Sequence, residues 1–262
     1  MTDALFRIER RAGGVAWLTL DRPEIHNAFD DRLIVQLTAE LARLGADDAV
    51  RVVVLTGAGG SFSAGADLNW MRRTATYGEA ENLADARALA KLMQTLDQLA
   101  KPTVARVNGA ALGGGTGLVA CCDIVVASER AVFGTTEVRL GLIPSVIGPY
   151  VLAAVGPRQA RRLMLTGERI SAAEAARLGL VHEVVADDRL DAAVDRIAGE
   201  LLKGGPDAIA AAKALIRDLA GRPISAELID QTAQRIAALR ATPEAREGVG
   251  AFLEKRTPGW SG

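Results

Sequence analysis

The chain has 262 residues, of which 49% are hydrophobic and 24% are charged, and its formal net charge is −1. A chain of this length can bury a full hydrophobic core, and this composition excludes wholesale disorder. The balanced charge argues against a nucleic-acid partner, whose phosphates require a basic face. The first residues are polar, and the chain has no run of about 18 apolar residues. We therefore expect a soluble, cytoplasmic protein with no membrane partner.

The first predicted elements are a β-hairpin and an amphipathic helix. Phe6–Arg10 and Val15–Leu20 are strand-like runs on either side of a Gly13-Gly14 turn, which is typical of a hairpin. Asp30 is the expected N-cap of a helix that continues to about Leu44, because a capping Asp accepts hydrogen bonds from free N–H groups of the first helical turn.

A pattern of buried strand, glycine-rich loop and helix then occurs twice. Val52–Thr56 precedes the glycine-rich segment 57–65, after which helical sequence begins at Asp67. Thr103–Val107 precedes a second glycine cluster and a short apolar helix, which leads into the strand Ile124–Ala127. This repetition predicts an α/β architecture of packed layers with right-handed crossovers.

The rest of the chain is predicted to be largely helical. Leu83–Leu99 has helical spacing, with Leu89, Leu92, Met93 and Leu96 on one face. From about Gly141 the pattern is almost purely helical. Three helix starts are a capping box at Ser171–Glu174, Pro206 after a glycine pair, and Thr242-Pro243-Glu244. We expect a β-rich core over 1–190 and a helical region over 191–262, without a linker that would make them independent domains.

The residues for most nucleophilic and metal chemistry are missing. The sequence has two histidines, His26 and His182, in unrelated contexts, and its two cysteines, Cys121 and Cys122, are adjacent in an apolar run. We interpret all four as structural and expect no metal site. Catalysis would therefore rest on carboxylates and backbone amides.

One motif imitates a dinucleotide-binding fingerprint. Gly115–Ala120 fits the relaxed pattern and follows a predicted strand, with Glu137 about 20 residues further on. However, only six residues separate Gly117 from the strand that begins at Ile124, and a βαβ crossover needs about 10–12. The spacing argues against a nucleotide cofactor.

The two glycine clusters share a feature with chemical meaning. Each follows a buried strand and opens a helix, where backbone N–H groups lack partners and carry the positive end of the helix dipole. Glycine also allows a ligand to approach that backbone closely. Two such loops side by side could place two N–H donors on one carbonyl oxygen, which is an oxyanion hole. From the spacing alone, simple tight turns remain an equal alternative.

Several motifs in register resemble the enoyl-CoA hydratase/isomerase (crotonase) superfamily. They are Phe62–Leu68, Asn108–Gly115, Asp21-Arg22-Pro23 with Asn27-Ala28, Cys122-Asp123-Ile124, Phe133-Gly134 with Glu137, Gly141–Pro144, Ala175-Ala176 with Gly179-Leu180-Val181, and Phe252–Arg256. The resemblance covers nearly the whole chain. It implies a spiral of repeated ββα units with a helical C-terminal region that drives formation of a trimer or a dimer of trimers.

The resemblance also implies a substrate and a set of site residues. The substrate would be an acyl-CoA thioester, so that no separate cofactor is needed. Its carbonyl would be polarised by the backbone N–H groups of Ala66 and Gly114. Lys255 matches a position that holds the CoA phosphates, although a solvated helix end is an equal alternative, and three further residues would contact CoA. They are Ala64, Asp67 and Leu68.

The sequence departs from the family pattern at one important position. Hydratases of this superfamily use two glutamates, and the positions that match them here are Gly117 and Glu137. Glu137 is therefore the only matched acid–base group, and a partly apolar pocket would raise the pKa of its carboxyl. A single carboxylate suits a double-bond isomerase. It also permits hydration if the group deprotonates water and then passes that proton to C2.

A second pattern favours hydration of a branched substrate. Ile143–Tyr150 and Asp67–Arg73, together with Gly117, resemble bacterial hydratases of 3-methylglutaconyl-CoA. That substrate has a distal carboxylate, for which Arg72, Arg73 and Arg139 are candidate partners. We expect an enoyl-CoA hydratase-type lyase. The alternatives are an isomerase that uses Glu137 alone and a catalytically weak acyl-CoA binder.

Overall fold

The computed structural model describes residues 5–261. The strands are β1 Phe6–Arg11, β2 Val15–Leu20, β3 Val52–Gly57, β4 Ser61–Ser63, β5 Thr103–Val107, β6 Ala110–Leu112, β7 Ile124–Ser128, β8 Val132–Gly134, β9 Ile170–Ser171 and β10 Glu183–Val185. The helices are α1 Asp31–Ala46, α2 Leu68–Thr74, α3 Glu79–Asp97, α4 Gly114–Cys121, α5 Gly148–Thr166, α6 Ala172–Arg177, α7 Leu190–Lys203, α8 Pro206–Leu219, α9 Ala226–Arg240 and α10 Pro243–Leu253.

These strands form two sheets. The larger has the order β1-β2-β3-β5-β7-β10 and is parallel except for the β1–β2 hairpin; the smaller has the order β4-β6-β8-β9. Three times the chain passes through one strand of the larger sheet, one strand of the smaller sheet and then helical structure. The strand pairs are β3–β4, β5–β6 and β7–β8. The predicted α/β spiral of ββα units is thus confirmed.

Both faces of the larger sheet are covered, which explains its apolar strands. Val53 and Leu55 of β3 belong to the main core with α1, α3 and α4, whereas Val52 and Val54 pack on the other face with α7. Successive side chains of a strand point to opposite faces, so a strand buried on both sides reads as a continuous apolar run. The predicted boundary near residue 190 falls at the start of α7.

Several predicted elements form as expected. β1 and β2 form the hairpin, and Asp30 caps α1 by accepting a hydrogen bond from Leu33 N at 2.9 Å. The Leu83–Leu99 helix is real but begins earlier, at Glu79. The Gly78 N–H donates to Glu81 Oε2 at 2.9 Å and so fixes the first turn there. The helices predicted at Pro206 and Thr242 are α8 and α10.

Two expectations about secondary structure were wrong. The glycine segments 57–65 and 109–117 are not only loops, because each contains a three-residue strand, β4 or β6, and these pair with each other. The chain after Gly141 is not almost purely helical, because β9 and β10 add to the two sheets. Such short strands are fixed by tertiary pairing and leave too little periodicity to detect.

The predicted capping box at Ser171 is half formed. Ser171 Oγ accepts from Glu174 N at 3.2 Å, so the serine caps α6. The Glu174 carboxylate instead binds Arg162 and Arg177. Two guanidinium partners compete more strongly for this carboxylate than one backbone N–H.

A partly buried ion pair joins the C-terminal helices to the core. Lys213 of α8 lies 2.7 Å from Asp123 Oδ2, and that oxygen also accepts from Thr103 N at 2.7 Å. Helix α10 packs on α8 and α9.

No helix within residues 5–261 is long and apolar enough to cross a membrane.

Candidate active site at the two glycine loops

The two glycine loops leave the smaller sheet side by side. β4 and β6 run parallel, with Ser63 opposite Ala111, so the segments after them start at the same edge. A Cβ atom added to Gly65 would lie 2.7 Å from Leu112 O and 3.5 Å from Gly114 N. Gly65 also has a φ of 87°. Glycine is therefore required at this position by both its conformation and the closeness of the second loop.

Each loop presents one backbone N–H without a protein partner in the described range 5–261. Phe29 N donates to Gly65 O at 2.8 Å and Asp67 N donates to Phe29 O at 3.0 Å, which brackets Ala66 and leaves its N–H free. Gly114 is the first residue of α4, where an N–H has no intrahelical partner, and it is not otherwise bonded. The geometry provides two neighbouring donors for one oxygen, rather than two unrelated turns.

The ring of Phe29 holds the second loop in place. A Cβ at Gly114 would lie only 2.2 Å from Phe29 Cζ. Phe29 is almost fully buried, and its backbone also brackets Ala66. One residue thus contacts both candidate donors, the first through its backbone and the second through its side chain.

Glu137 places a carboxyl group beside the start of α4. It opens a 3-10 turn, Glu137–Leu140, shortly after β8, which pairs with β6. A Cβ on Gly113 would lie 3.4 Å from Glu137 Oε1. Glu137 Oε2 is buried and has no hydrogen-bond partner among residues 5–261. Burial raises the pKa of the Glu137 carboxyl, and a hydrogen bond from its own backbone N–H offsets this only in part.

Thr116 ties the strand before Glu137 to the helix that follows the glycine loop. Its hydroxyl donates to Ala111 O at 2.7 Å and accepts from Gly134 N at 3.2 Å. Gly113 N donates to Gly134 O at 2.8 Å. These bonds hold α4 and β8 in one arrangement, so the carboxyl and the Gly114 N–H have a fixed relationship.

The position that matches the first glutamate of two-carboxylate hydratases is closed. Gly117 is buried within α4, and a Cβ there would lie 2.2 Å from Ile147 Cγ2 and 3.4 Å from Met93 Cε. Ile147 is itself 2% exposed. An apolar side chain occupies the space that a second carboxylate would need.

The residues predicted to contact CoA lie in the first loop, with one exception. Ala64 is half-buried and its N–H donates to His26 O at 2.9 Å, while Leu68 is 70% exposed. Asp67 Oδ1 accepts from Asn69 N and Trp70 N, so it caps α2. Lys255 lies apart, in an exposed turn after α10.

The candidate arginines differ in their partners. Arg73 lies 2.7 Å from Asp31, and Arg72 donates to Asn69 at 2.9 Å. Arg139 is exposed, lies on the same 3-10 turn as Glu137, and has no carboxylate partner within residues 5–261. Of the three, Arg139 has the most available guanidinium.

The histidines and cysteines occupy structural positions. His182 Nδ1 accepts from Val125 N at 3.1 Å, and His26 Nδ1 lies 3.2 Å from Ser61 Oγ. Both cysteines are buried, and burial raises the pKa of the Cys122 thiol to about 12. Their interpretation as structural residues agrees with these contacts.

The sequence motifs include Ser63 and Ile147 but do not indicate their packing at the site, and Phe29 lies outside the motifs. Phe29, Ser63 and Ile147 all touch the glycine loops through close packing. Their residue types alone do not indicate this role. The only available signal was the glycine content itself, because a glycine in a helix or strand often marks a close neighbour.

Comparisons with known proteins identify the family. A sequence profile of the enoyl-CoA hydratase/isomerase family matches residues 10–262. The chain belongs to this family. It is 38% identical over 256 residues to 2,3-dehydroadipyl-CoA hydratase of Escherichia coli K12, covering 97% of this chain and 98% of the relative.

Two further comparisons cover almost the whole chain. The 1,2-epoxyphenylacetyl-CoA isomerase of Escherichia coli K12 is 36% identical over 253 residues, covering 95% of each chain. The crystal structure of an enoyl-CoA hydratase from Shewanella pealeana superposes with a TM-score of 0.95 at 44% identity, covering 99% of this chain and 97% of that one. Family and fold thus agree with the resemblance found in the sequence.

Proposed function

We propose that this protein is an enoyl-CoA hydratase that adds water across the C2–C3 double bond of an acyl-CoA thioester. The observation that carries the proposal is the convergence of three groups. Within residues 5–261, the N–H groups of Ala66 and Gly114 are free and lie on touching loops. The half-buried Glu137 carboxyl, whose Oε2 is buried and has no hydrogen-bond partner in that range, lies beside the second loop. A 2-enoyl thioester offers one carbonyl oxygen for the two donors and, once water has added at C3, an enolate whose C2 takes a proton.

In this mechanism Glu137 serves as both base and acid. Its carboxylate takes a proton from water as the hydroxide oxygen bonds to C3, and the C2–C3 π electrons move to form an enolate on the thioester. The N–H groups of Ala66 and Gly114 stabilise the enolate oxygen. The protonated Glu137 then delivers its proton to C2, which restores the carboxylate. The raised pKa of Glu137 suits both halves of this transfer.

We propose a branched substrate with a second carboxylate, such as 3-methylglutaconyl-CoA. The sequence pattern at 67–73 and 143–150 supports it, as does the relative named for 2,3-dehydroadipyl-CoA, whose acyl group also ends in a carboxylate. Arg139 is the candidate to bind that carboxylate, because its guanidinium is unpaired in the range 5–261. No cofactor beyond the CoA of the substrate is required.

Isomerisation is the second candidate. One carboxylate is enough to take a proton from C2 and return it at C4, and the space at Gly117 is closed to a second carboxylate. A relative named as an isomerase is 36% identical. Hydration is preferred because the pattern at 67–73 and 143–150 is the one shared with the branched-substrate hydratases.

We further propose that the chain assembles as a trimer or a dimer of trimers through its helical region. Large apolar side chains are exposed on α9 and α10, including Ile229, Val249, Leu253 and Phe252, which is 81% exposed. Water contact with such a surface is unfavourable, and burial against a second copy would remove it. Lys255 follows α10, so assembly could bring it to the CoA phosphates of a neighbouring subunit.

The proposal is tested by turnover of three substrates: 3-methylglutaconyl-CoA, crotonyl-CoA and a 3-enoyl-CoA, with products identified by mass. A water adduct formed fastest from the branched substrate supports it. Conversion of the 3-enoyl ester alone, without a change in mass, would make the protein an isomerase. Tight binding of all three without turnover would leave only an acyl-CoA binder.

A further inference from the structure

Ser63 is a fully buried residue at the end of β4, between the two glycine loops. Its hydroxyl donates to Asn27 O at 2.9 Å and accepts from Gly65 N at 3.2 Å. Gly65 directly precedes Ala66. The hydroxyl therefore restrains the Ala64–Gly65 peptide, one peptide before the N–H of the first candidate donor.

The backbone of the same residue touches the second loop. A Cβ at Gly115 would lie 2.4 Å from Ser63 O and 3.1 Å from Ser63 Cβ. Gly115 directly follows Gly114, the second candidate donor. Ser63 thus contacts Gly65 through its hydroxyl and Gly115 through its backbone, and these two glycines are adjacent in the chain to the two donors.

The hydroxyl bonds to an anchored carbonyl. Asn27 is fully buried in the left-handed region, with a φ of 54°. Its side chain donates to Ala58 O at 2.9 Å and to Ser61 O at 2.8 Å, and accepts from Arg22 N at 2.9 Å. With three hydrogen bonds holding the side chain, the Asn27 carbonyl has little freedom to follow a movement of the glycine loop.

We propose that Ser63 is a positioning residue that sets the distance and alignment between the Ala66 and Gly114 N–H groups. This inference rests on the proposed function, in which both donors bind one thioester oxygen. Without the hydroxyl, the buried Asn27 O and Gly65 N lose their shared partner. The Ala64–Gly65 peptide then loses this restraint, and the Ala66 N–H is held through the backbone bonds of Phe29 with Gly65 and Asp67. The first donor then aligns less well with the oxygen, although the loop and its contacts with the rest of the ligand persist.

The test compares Ser63→Ala with Ser61→Ala as a matched control. Ser61 lies on the same strand and is also buried. Its hydroxyl contacts His26, the residue before Asn27, but it does not bond the loop at Gly65. We expect Ser63→Ala to lower kcat about tenfold with KM nearly unchanged, because the donors act mainly on the developing enolate. Ser61→Ala should keep kcat within about twofold.

A second readout does not depend on turnover. Butyryl-CoA labelled with ¹³C at its carbonyl is bound to each variant, and the infrared carbonyl stretch is recorded. Two aligned donors lower this frequency, so we expect a smaller shift for Ser63→Ala than for wild type or Ser61→Ala. If Ser63→Ala does not fold, Ser63→Cys keeps a weaker hydrogen-bonding group in place and should give an intermediate shift.

The two proposals fail in different ways. Wild-type kcat together with a wild-type carbonyl shift in Ser63→Ala would overturn the role of Ser63. An inactive wild-type protein whose bound thioester still shows the Ser63-dependent shift would overturn the hydratase proposal and keep the positioning role.

Discussion

Ile147 fills the space beside Gly117, so that a Cβ at position 117 would lie 2.2 Å from Ile147 Cγ2 and 2.8 Å from Ile147 Cβ. The absence of a second glutamate is therefore built into the packing and is not an isolated change of one residue. The site is organised around one carboxylate, Glu137, and an apolar wall where another carboxylate would stand.

Gly117→Ala should destabilise the protein, although alanine is the better helix former. We expect overpacking against Ile147 to cost about 1–3 kcal/mol, partly offset by up to about 1 kcal/mol of helix propensity. The measurement is urea unfolding. Gly199→Ala is the matched control, since Gly199 lies within α7 with no atom near its added Cβ, and it should stabilise the protein by about 0.5–1 kcal/mol. Equal effects at both positions would contradict the packing argument.

Gly114→Ala should remove most of the activity. The added Cβ would lie 2.2 Å from Phe29 Cζ, so either the ring or the start of α4 must move. Since loss of one oxyanion donor costs about 10²–10³ in kcat, we expect a decrease in this range. Steady-state kinetics checks it, with Gly60→Ala as the control because an added Cβ there meets nothing within 4 Å. A Gly114→Ala enzyme with wild-type kcat would refute the role of this N–H.

Glu137 should make activity and stability respond oppositely to pH. The pKa of its carboxyl is raised in the folded protein, so the ionised form that acts as a base appears only above the ordinary range of glutamate. We therefore expect kcat to fall on acidification through this raised pKa.

The stability of the folded protein depends on pH in the opposite direction to its activity. A raised folded pKa contributes stability below the unfolded pKa and loses it as the pH rises through the folded value. Glu137→Gln should consequently melt at a higher temperature than wild type at pH 7, and the difference should shrink below the ordinary pKa of glutamate. Melting curves at several pH values measure this. A difference that grows on acidification would show that the ionised carboxylate is stabilised in the fold.

Thr116→Val should loosen the link between α4 and β8. The valine keeps the shape but leaves Gly134 N and Ala111 O without the hydroxyl that now bonds both. We expect a loss of about 1–3 kcal/mol in the free energy of unfolding. Thr95→Val is the control, because Thr95 is half-buried on α3 and its hydroxyl donates to Lys91 O in its own helix, with no other partner within residues 5–261. It should change stability by less than about 0.5 kcal/mol. Similar losses for both variants would contradict the account of Thr116.

The sequence predicts the larger sheet better than the smaller one. β3 is an apolar run and β5 is a mostly buried one, as expected for strands covered on both faces, and this pattern can be recognised from the local sequence alone. β4 and β6 have only three residues each and are defined by their pairing with one another. No local pattern distinguishes such strands from the glycine loops that contain them.

The features of the candidate site likewise fall into those that the sequence predicts and those that it does not. Glu137 and the loops of Ala66 and Gly114 follow from motifs and from the chemistry of helix starts. The packing roles of Phe29, Ser63 and Ile147 do not, because these roles depend on distances to residues far away in the chain. The sequence shows the glycines that permit close approach, and only the structure shows what approaches.

The kcat of Glu137→Gln with 3-methylglutaconyl-CoA shows whether Glu137 is the acid–base group of a single-carboxylate site. We predict a decrease of about 10²–10⁴ with the affinity for the thioester retained, because glutamine keeps the shape but transfers no proton. A Glu137→Gln enzyme that hydrates this substrate within about threefold of wild type would show that Glu137 is not the acid–base group.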